Sequence, residues 1–156
     1  MKYALSLMFL MLIQTPLYAQ SLSVTTERDI AISRQMINDK RNTALAFNMS
    51  FTEAEKDAFW PLYRKYRDAM SNVASRQLDV IIDFANHFDN MTEDKAQELL
   101  DRNLIYEEQA IKVKQLYVDK FRRILPNIKV ARLMQIENRM DTAIKMKLSE
   151  GIPLME

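Results

Sequence analysis

Residues 51–88 read FTEAEKDAFWPLYRKYRDAMSNVASRQLDVIIDFANHF and carry the clearest structural signal in the chain. Thr52 and Glu55 have the spacing of a capping box, and Phe51 stands at the position of a hydrophobic staple. Apolar side chains then recur at steps of three and four residues without an intervening glycine: Phe59, Leu62, Tyr63, Tyr66, Met70, Val73, Leu78, Ile81, Ile82, Ala85 and Phe88. The pattern predicts one long helix from Glu53 to about Phe88.

Pro61 lies inside this predicted helix. Proline has no backbone N–H to donate, and its ring presses on the carbonyl four residues earlier, which belongs to Asp57. We therefore expect a bend near Phe59 and Trp60, or a short break there.

Three further segments predict helices. Residues 24–47 have Thr25 or Thr26 as a cap; the next helix starts after Thr92 and continues to Pro126; and the last runs from about Asn127 to Ser149, with Gly151 as its stop. One glycine, four prolines and no cysteine leave too few turn formers for a β-architecture. We predict an all-α fold, an elongated helical hairpin with additional packed helices, three to four in all, kinked at Pro61.

The composition excludes several kinds of chemistry. A chain of 156 residues, 48% hydrophobic, is enough for one domain of ordinary size. Without cysteine it has no thiol nucleophile, disulfide or thiolate metal site. His87, with Asp83 and Asp89, is a conceivable site for a divalent ion, but we prefer to interpret it as an exposed polar helix end and predict no metal and no cofactor.

The first nineteen residues have the pattern of a secretory leader. Lys2 precedes the apolar run from Tyr3 to Ile13, which is shorter than the ~20 residues that a membrane span needs, and Ala19 provides a small residue for cleavage. We expect a signal peptide over residues 1–19, an N-terminal helix or arm over 20–50, and the hairpin with a C-terminal helix over 51–156. A chain processed in this way would be periplasmic or secreted.

Charge argues against two classes of partner. After Lys2 is removed, 21 basic and 21 acidic side chains balance, because residues 1–19 contain no Asp or Glu. Nucleic-acid binding relies on a clustered basic surface, and membrane-surface binding often relies on a polybasic patch. We therefore expect no nucleic-acid partner and no stable membrane anchor.

Two groups of side chains are predicted to be structural. The aromatic residues Phe59, Trp60, Tyr63 and Tyr66 recur at helical spacing, which is more typical of a core than of a ligand platform. A polar run follows Pro126 and consists of Arg132, Gln135, Glu137 and Arg139. Glu137 is a candidate partner of Arg132, or of Arg67 on a neighbouring helix, which would fix the register of the helices. A solvated, salt-bridged face is the interpretation we prefer for this run.

A long hairpin cannot cover its own apolar stripe everywhere. Some of the stripe is then expected to face a sister subunit or a client polypeptide. Met70, Val73, Ile81 and Phe88 are our candidates for that face, and a place in the core is the alternative for each of them.

Residues 51–56, Phe-Thr-Glu-Ala-Glu-Lys, come after an exported leader and ahead of long amphipathic helices. In this arrangement the chain resembles the small periplasmic helical proteins of the Spy/CpxP group, whose recurring mark is Leu-Thr-x-x-Gln. Residues 59–63 and 135–139 look like segments of a related set of uncharacterised secreted helical proteins.

The resemblance implies a cradle-shaped homodimer that acts as an ATP-independent chaperone or envelope-stress modulator. We accordingly expect a non-enzymatic protein that binds unfolded or partner polypeptides. The alternative is a periplasmic sensor or regulatory subunit for one membrane protein or for a metal ion.

Overall fold

The structure is a computed structural model. It describes the backbone of residues 27–154 and the side chains of residues 33–154. Four α-helices make up this range: α1 (Glu27–Asn48), α2 (Glu53–His87), α3 (Glu93–Phe121) and α4 (Asn127–Ser149), with a 3₁₀ turn at Phe88–Asn90. With no strand among the described residues, the all-α class is confirmed. The leader predicted for residues 1–19 and the caps predicted at Thr25 and Thr26 lie outside the described range.

The chain divides into two compact units, Met1–Asn38 and Asp39–Glu156. In the first unit, the described part is the beginning of α1, from Glu27 to Asn38. The second unit contains the end of α1 together with α2, α3 and α4, and the core described below lies in it.

Helix α2 begins as the sequence predicts. The Glu55 N–H donates to Thr52 Oγ1 at 3.2 Å, and the Thr52 N–H donates to Glu55 Oε2 at 2.8 Å, which completes the capping box. The helix continues through Pro61 without interruption and ends at His87. The short break that was one of our two expectations at Pro61 is therefore wrong, and the bend stays a prediction.

The other helix ends agree with the sequence to different degrees. Helix α3 begins after Thr92, whose hydroxyl accepts from the Lys95 N–H at 3.2 Å, as predicted. It ends at Phe121 and not at Pro126, because a residue that precedes proline is disfavoured in helical conformation and the chain leaves the helix one turn earlier.

Helix α4 has the predicted bounds, Asn127–Ser149. Its C-cap is Glu150 in ordinary right-handed conformation, and Gly151 does not adopt a positive φ. The helix therefore stops just before Gly151, as expected, but without the left-handed glycine conformation that commonly ends a helix.

The core forms where the end of α1 meets the other three helices. Its buried members are Leu45, Met49, Phe59, Tyr63, Tyr66, Met70, Tyr117, Phe121, Leu125, Val130 and Leu133. The link from α1 to α2 is short, and Ser50 within it has φ +46°, in the left-handed region. Such a conformation costs on the order of 1 kcal/mol for a residue other than glycine and persists where the packing around it determines the path of the chain.

Candidate functional site

The predicted aromatic residues lie in and against the core. Phe59, Tyr63 and Tyr66 are fully buried, and Trp60 packs against them half-buried. The Phe59 and Tyr63 rings are stacked with centroids 5.2 Å apart. Three of the four rings therefore have no exposed face for a ligand. This agrees with the structural role that their helical spacing indicated.

The side chains chosen from the sequence as a client face are mostly enclosed by their own chain. Met70 and Val73 are only 9% and 8% exposed, and Ile81 and Phe88 are half-buried. Met70 and Val73 follow Tyr66 at steps of four and three residues, so they share its core-facing side of α2. The structure thus corrects the choice of Met70 and Val73 as a binding surface.

Glu137 is fully buried and joins α4 to two other helices. Its Oε2 accepts hydrogen bonds from Arg41 of α1 at 2.8 Å and from Arg67 of α2 at 3.2 Å, and its Oε1 accepts from the Tyr63 hydroxyl at 2.6 Å. The pairing with Arg67 was one of the sequence-based candidates. The solvated face that we preferred for this residue is wrong, because Glu137 occupies a core position one turn after Leu133.

Asp141 extends the same group of charges to α3. It lies one turn beyond Glu137, and its two oxygens accept from Arg41 at 2.6 Å and from Lys114 at 2.9 Å. We call this group the Glu137 network, and its members are Arg41, Tyr63, Arg67, Lys114, Glu137 and Asp141. Because it includes a residue from every helix, it fixes how the four helices align.

The network alters the titration of its members. Burial alone lowers the pKa of the Arg41 guanidinium, but the charges of Glu137 and Asp141 outweigh burial and raise it. Burial and the neighbouring Glu137 carboxylate both raise the pKa of the Tyr63 hydroxyl. Arg41 therefore stays charged and Tyr63 stays neutral over the whole range in which the protein would be handled.

Three buried polar atoms beside these ion pairs have no hydrogen-bond partner within the described range. They are the Nε atoms of Arg41 and Arg67 and the hydroxyl of Tyr66. A buried donor without a partner costs about 1–3 kcal/mol. The network therefore gives the helices a defined register more than it adds net stability.

Acid should weaken the network at Asp141. Burial raises the pKa of this carboxyl, but the hydrogen bond from Lys114 and the charge of Arg41 outweigh burial and lower the pKa below its usual range. A carboxyl whose pKa is lower in the folded protein than in the unfolded chain stabilises the folded protein while it is ionised. This stabilisation is fully present above the unfolded pKa, about 3.9, and is lost as the pH falls through the folded pKa.

We therefore expect Asp141→Asn to destabilise the protein near pH 7, with the difference from the unsubstituted protein shrinking below about pH 4. Urea unfolding followed by circular dichroism at several pH values measures this difference. Asp79→Asn is the control, because Asp79 is exposed on α2. A difference that is the same at pH 3 as at pH 7 would contradict the assignment.

The remaining residues of the polar run are on the surface. Arg132, Gln135 and Arg139 are exposed, and Arg132 makes a long 3.4 Å contact with the Asn48 carbonyl oxygen. For these three residues the structure agrees with a solvated face, whereas Glu137 between them points into the core.

The side chains of the possible metal site at His87 pair with other residues of the chain. The His87 ring lies 3.0 Å from an oxygen of Asp83, and the second oxygen of Asp83 accepts from Arg102, with Lys95 at 3.5 Å. The Arg102 hydrogen bond lowers the pKa of Asp83, and nearby Lys95 contributes to this shift. Asp89 lies exposed in the 3₁₀ turn. In the part of the chain that the structure describes, no group of three or more His, Cys, Asp or Glu residues is arranged to hold a metal ion.

The most solvent-exposed apolar side chains of α1 and α4 lie where the end of α1 meets the start of α4. Lys129 of α4 donates to the Ser50 carbonyl oxygen at 2.9 Å, which brings the two helix ends together. Phe47 is 86% exposed and Ile128 is 75% exposed. We call these two side chains the α1–α4 apolar pair.

Helix geometry explains why the α1–α4 apolar pair is open. Phe47 stands between Leu45 and Met49, and Ile128 stands two residues before Val130, with Leu45, Met49 and Val130 all in the core. Residues two apart on a helix differ by about 200°, so a neighbour at this spacing points away from the core. A phenylalanine and an isoleucine that point outward at one end of the unit are available for contact with another polypeptide.

Within residues 27–154, no helix is both long enough and apolar enough to span a membrane. The chain matches no family model, no curated protein and no solved structure.

Proposed function

We propose that this protein is an exported, non-enzymatic helical protein that binds unfolded or partner polypeptides, as an ATP-independent chaperone or envelope-stress modulator. The observation that carries the proposal is the α1–α4 apolar pair, two large side chains more than 70% exposed at one end of the helical unit. Large apolar side chains that a protein leaves exposed at one of its ends are candidates for contact with other polypeptides.

Basic side chains close to Ile128 in sequence bear on which polypeptides would bind. Arg123 is exposed in the α3–α4 connection, where Arg122 pairs with Asp119, and the exposed Arg132 follows Ile128 by one turn of α4. Basic side chains at the rim of an apolar contact attract acidic segments and speed up association. We therefore expect clients in which apolar residues alternate with acidic ones to bind best.

Two features of the sequence support the proposal. The pattern of residues 1–19 is that of a secretory leader, and residues 51–56 resemble the mark of the Spy/CpxP group, whose members act on unfolded polypeptides in the periplasm. A client that is bound only by apolar and electrostatic contacts can be released without nucleotide hydrolysis, which fits an ATP-independent activity.

The test is suppression of aggregation of a chemically denatured model client, measured by light scattering without ATP. We expect the unsubstituted protein to suppress aggregation in proportion to its concentration. Replacing both members of the α1–α4 apolar pair, Phe47→Ser with Ile128→Ser, should raise the concentration needed for half-suppression about tenfold or more, which corresponds to about 1.4 kcal/mol of lost binding free energy.

The matched control is Met146→Ser with Leu154→Ser, which removes two other exposed apolar side chains and should leave suppression unchanged. If the unsubstituted protein does not suppress aggregation even at several-fold excess, the chaperone role is overturned. One tightly bound partner in a pull-down would then favour the regulatory alternative. An equal loss of aggregation suppression in both double variants would overturn the assignment of the site to Phe47 and Ile128.

A further inference from the structure

The N-terminal part of α3 carries a stripe of exposed side chains outside the core. We call it the outer stripe of α3, and its members are Glu93, Leu100, Leu104, Glu107 and Ile111. They follow one another at steps of seven, four, three and four residues, which places them on one side of a helix. The three apolar members are 58%, 53% and 56% exposed, whereas Leu99 and Tyr106 of the same helix are buried. The stripe therefore presents apolar and acidic groups on one surface.

The same part of α3 is acidic. Residues 93–111 contain six acidic and two basic side chains, a net charge of −4. Both basic side chains pair with carboxylates of the chain. Glu93 and Glu107, by contrast, have no ion-pair partner among residues 33–154. The outer stripe thus has negative charge that the described part of the chain does not neutralise.

We propose that the outer stripe of α3 binds cationic amphipathic helices. The apolar side of such a helix would cover Leu100, Leu104 and Ile111, and lysine or arginine side chains at its edges would reach Glu93 and Glu107. The stripe is about 27 Å long, which is the length of a helix of about 18 residues. A second copy of the stripe, an anionic lipid surface and a nucleic acid are all negatively charged, so they complement it less well.

Binding of this kind gives the protein a further activity. Cationic amphipathic helices bind to membranes by placing their apolar side in the lipid interface while their basic side chains are attracted to anionic lipids. The outer stripe offers the same two attractions, apolar contact and negative charge, on the surface of a protein. We therefore expect the protein to compete with anionic lipid for such peptides and to protect a membrane from them.

The outer stripe and the α1–α4 apolar pair belong to different helices and differ in the charge that they attract. Binding of cationic helices therefore does not rest on the proposed function, and different substitutions test the two. Phe47→Ser with Ile128→Ser should leave the affinity for a cationic helix unchanged, whereas substitutions in the outer stripe should lower it.

The first test uses a fluorescently labelled peptide of about 18 leucine and lysine residues, ordered so that a helix has one apolar and one basic side. Fluorescence anisotropy measures its binding to the protein. A peptide of the same composition, in an order that gives no apolar side, should bind about tenfold more weakly. A peptide with glutamate in place of lysine should not bind. No binding of the first peptide, or equal binding of the first two, would overturn the proposal.

Two variants locate the site. Leu100→Ser with Leu104→Ser should weaken binding of the amphipathic peptide about tenfold. Glu107→Lys should weaken it about fivefold at low salt, with a smaller effect at high salt, because salt screens exposed charges. Asp68→Lys is the matched control for Glu107→Lys, since Asp68 is an exposed carboxylate of α2. Equal effects of the two lysine substitutions, or unchanged binding in the leucine double variant, would overturn the assignment to the outer stripe.

Release of dye from vesicles of phosphatidylglycerol and phosphatidylcholine tests the protective activity. The amphipathic peptide alone should release the dye, and the unsubstituted protein should reduce this release in proportion to its concentration. The variant with Leu100→Ser and Leu104→Ser should protect less. Unchanged release at a protein concentration that binds all of the peptide in the anisotropy measurement would overturn the protective activity.

Discussion

Replacing Glu137 with alanine is expected to lower the free energy of unfolding by about 3–5 kcal/mol. The carboxylate is fully buried and accepts hydrogen bonds from Arg41, Arg67 and Tyr63. Without it, two guanidinium groups are left in the interior with only Asp141 nearby to balance them. Urea unfolding followed by circular dichroism at neutral pH measures the change.

The control for Glu137 is Glu150→Ala, which removes an exposed carboxylate paired with Lys147. Its effect should stay within about 0.5 kcal/mol, because surface ion pairs contribute little. A double-mutant cycle with Arg41→Ala should show strong coupling between Arg41 and Glu137. A Glu137→Ala variant within 1 kcal/mol of the unsubstituted protein would contradict the burial of this carboxylate.

Replacing Phe59 with alanine is also expected to cost about 3–5 kcal/mol. The Phe59 ring is fully buried, and its centroid lies 4.5 Å from that of Phe51, 5.2 Å from that of Tyr63 and 5.7 Å from that of Phe121. Truncation removes these contacts and leaves a cavity that the surrounding rings cannot fill. The measurement is again the free energy of unfolding from urea titration.

Phe47→Ala is the matched control for Phe59→Ala, because it is the same chemical change at a side chain that is 86% exposed. It should change stability by no more than about 0.5 kcal/mol. Equal costs at the two positions would show that Phe47 has a place in the core, and it would then be unavailable to a client.

Local signals made much of the fold predictable. The capping box at Thr52 and Glu55, the cap at Thr92 and the Pro126 corner each involve residues close together in sequence, and they gave the starts of α2, α3 and α4 correctly. The end of α3 was wrong because the apolar stripe continues past Phe121, although the backbone leaves the helix there.

The Glu137 network was only partly predictable, because its members are far apart in sequence. Arg41 and Glu137 are 96 residues apart, and nothing local to Arg41 identifies its partner. A signal was nevertheless present: Glu137 continues the spacing of Val130 and Leu133, and Arg41 precedes Leu45 and Met49 at steps of four. A charged residue in an apolar row at core spacing indicates a buried ion pair.

Two of the four candidates for a client face, Met70 and Val73, were wrong for a related reason. Periodicity identifies the apolar side of α2 but cannot tell whether another helix covers it, and α3 and the core cover Met70 and Val73. Phe47 and Ile128, the residues of the proposed site, were not among the candidates because they stand outside the core-facing rows of their helices. Their position between or beside core residues is the pattern that would have revealed them.

The most direct test of polypeptide binding at the end of α1 and the start of α4 uses one fluorescent label. An environment-sensitive dye on Ile128→Cys should shift to the blue and become brighter when a denatured client is added, and not when the same client is folded. The same dye on Asn138→Cys, an exposed residue further along α4, should respond little. No response at residue 128, or equal responses at both positions, would contradict the assignment of the binding site to this end of the protein.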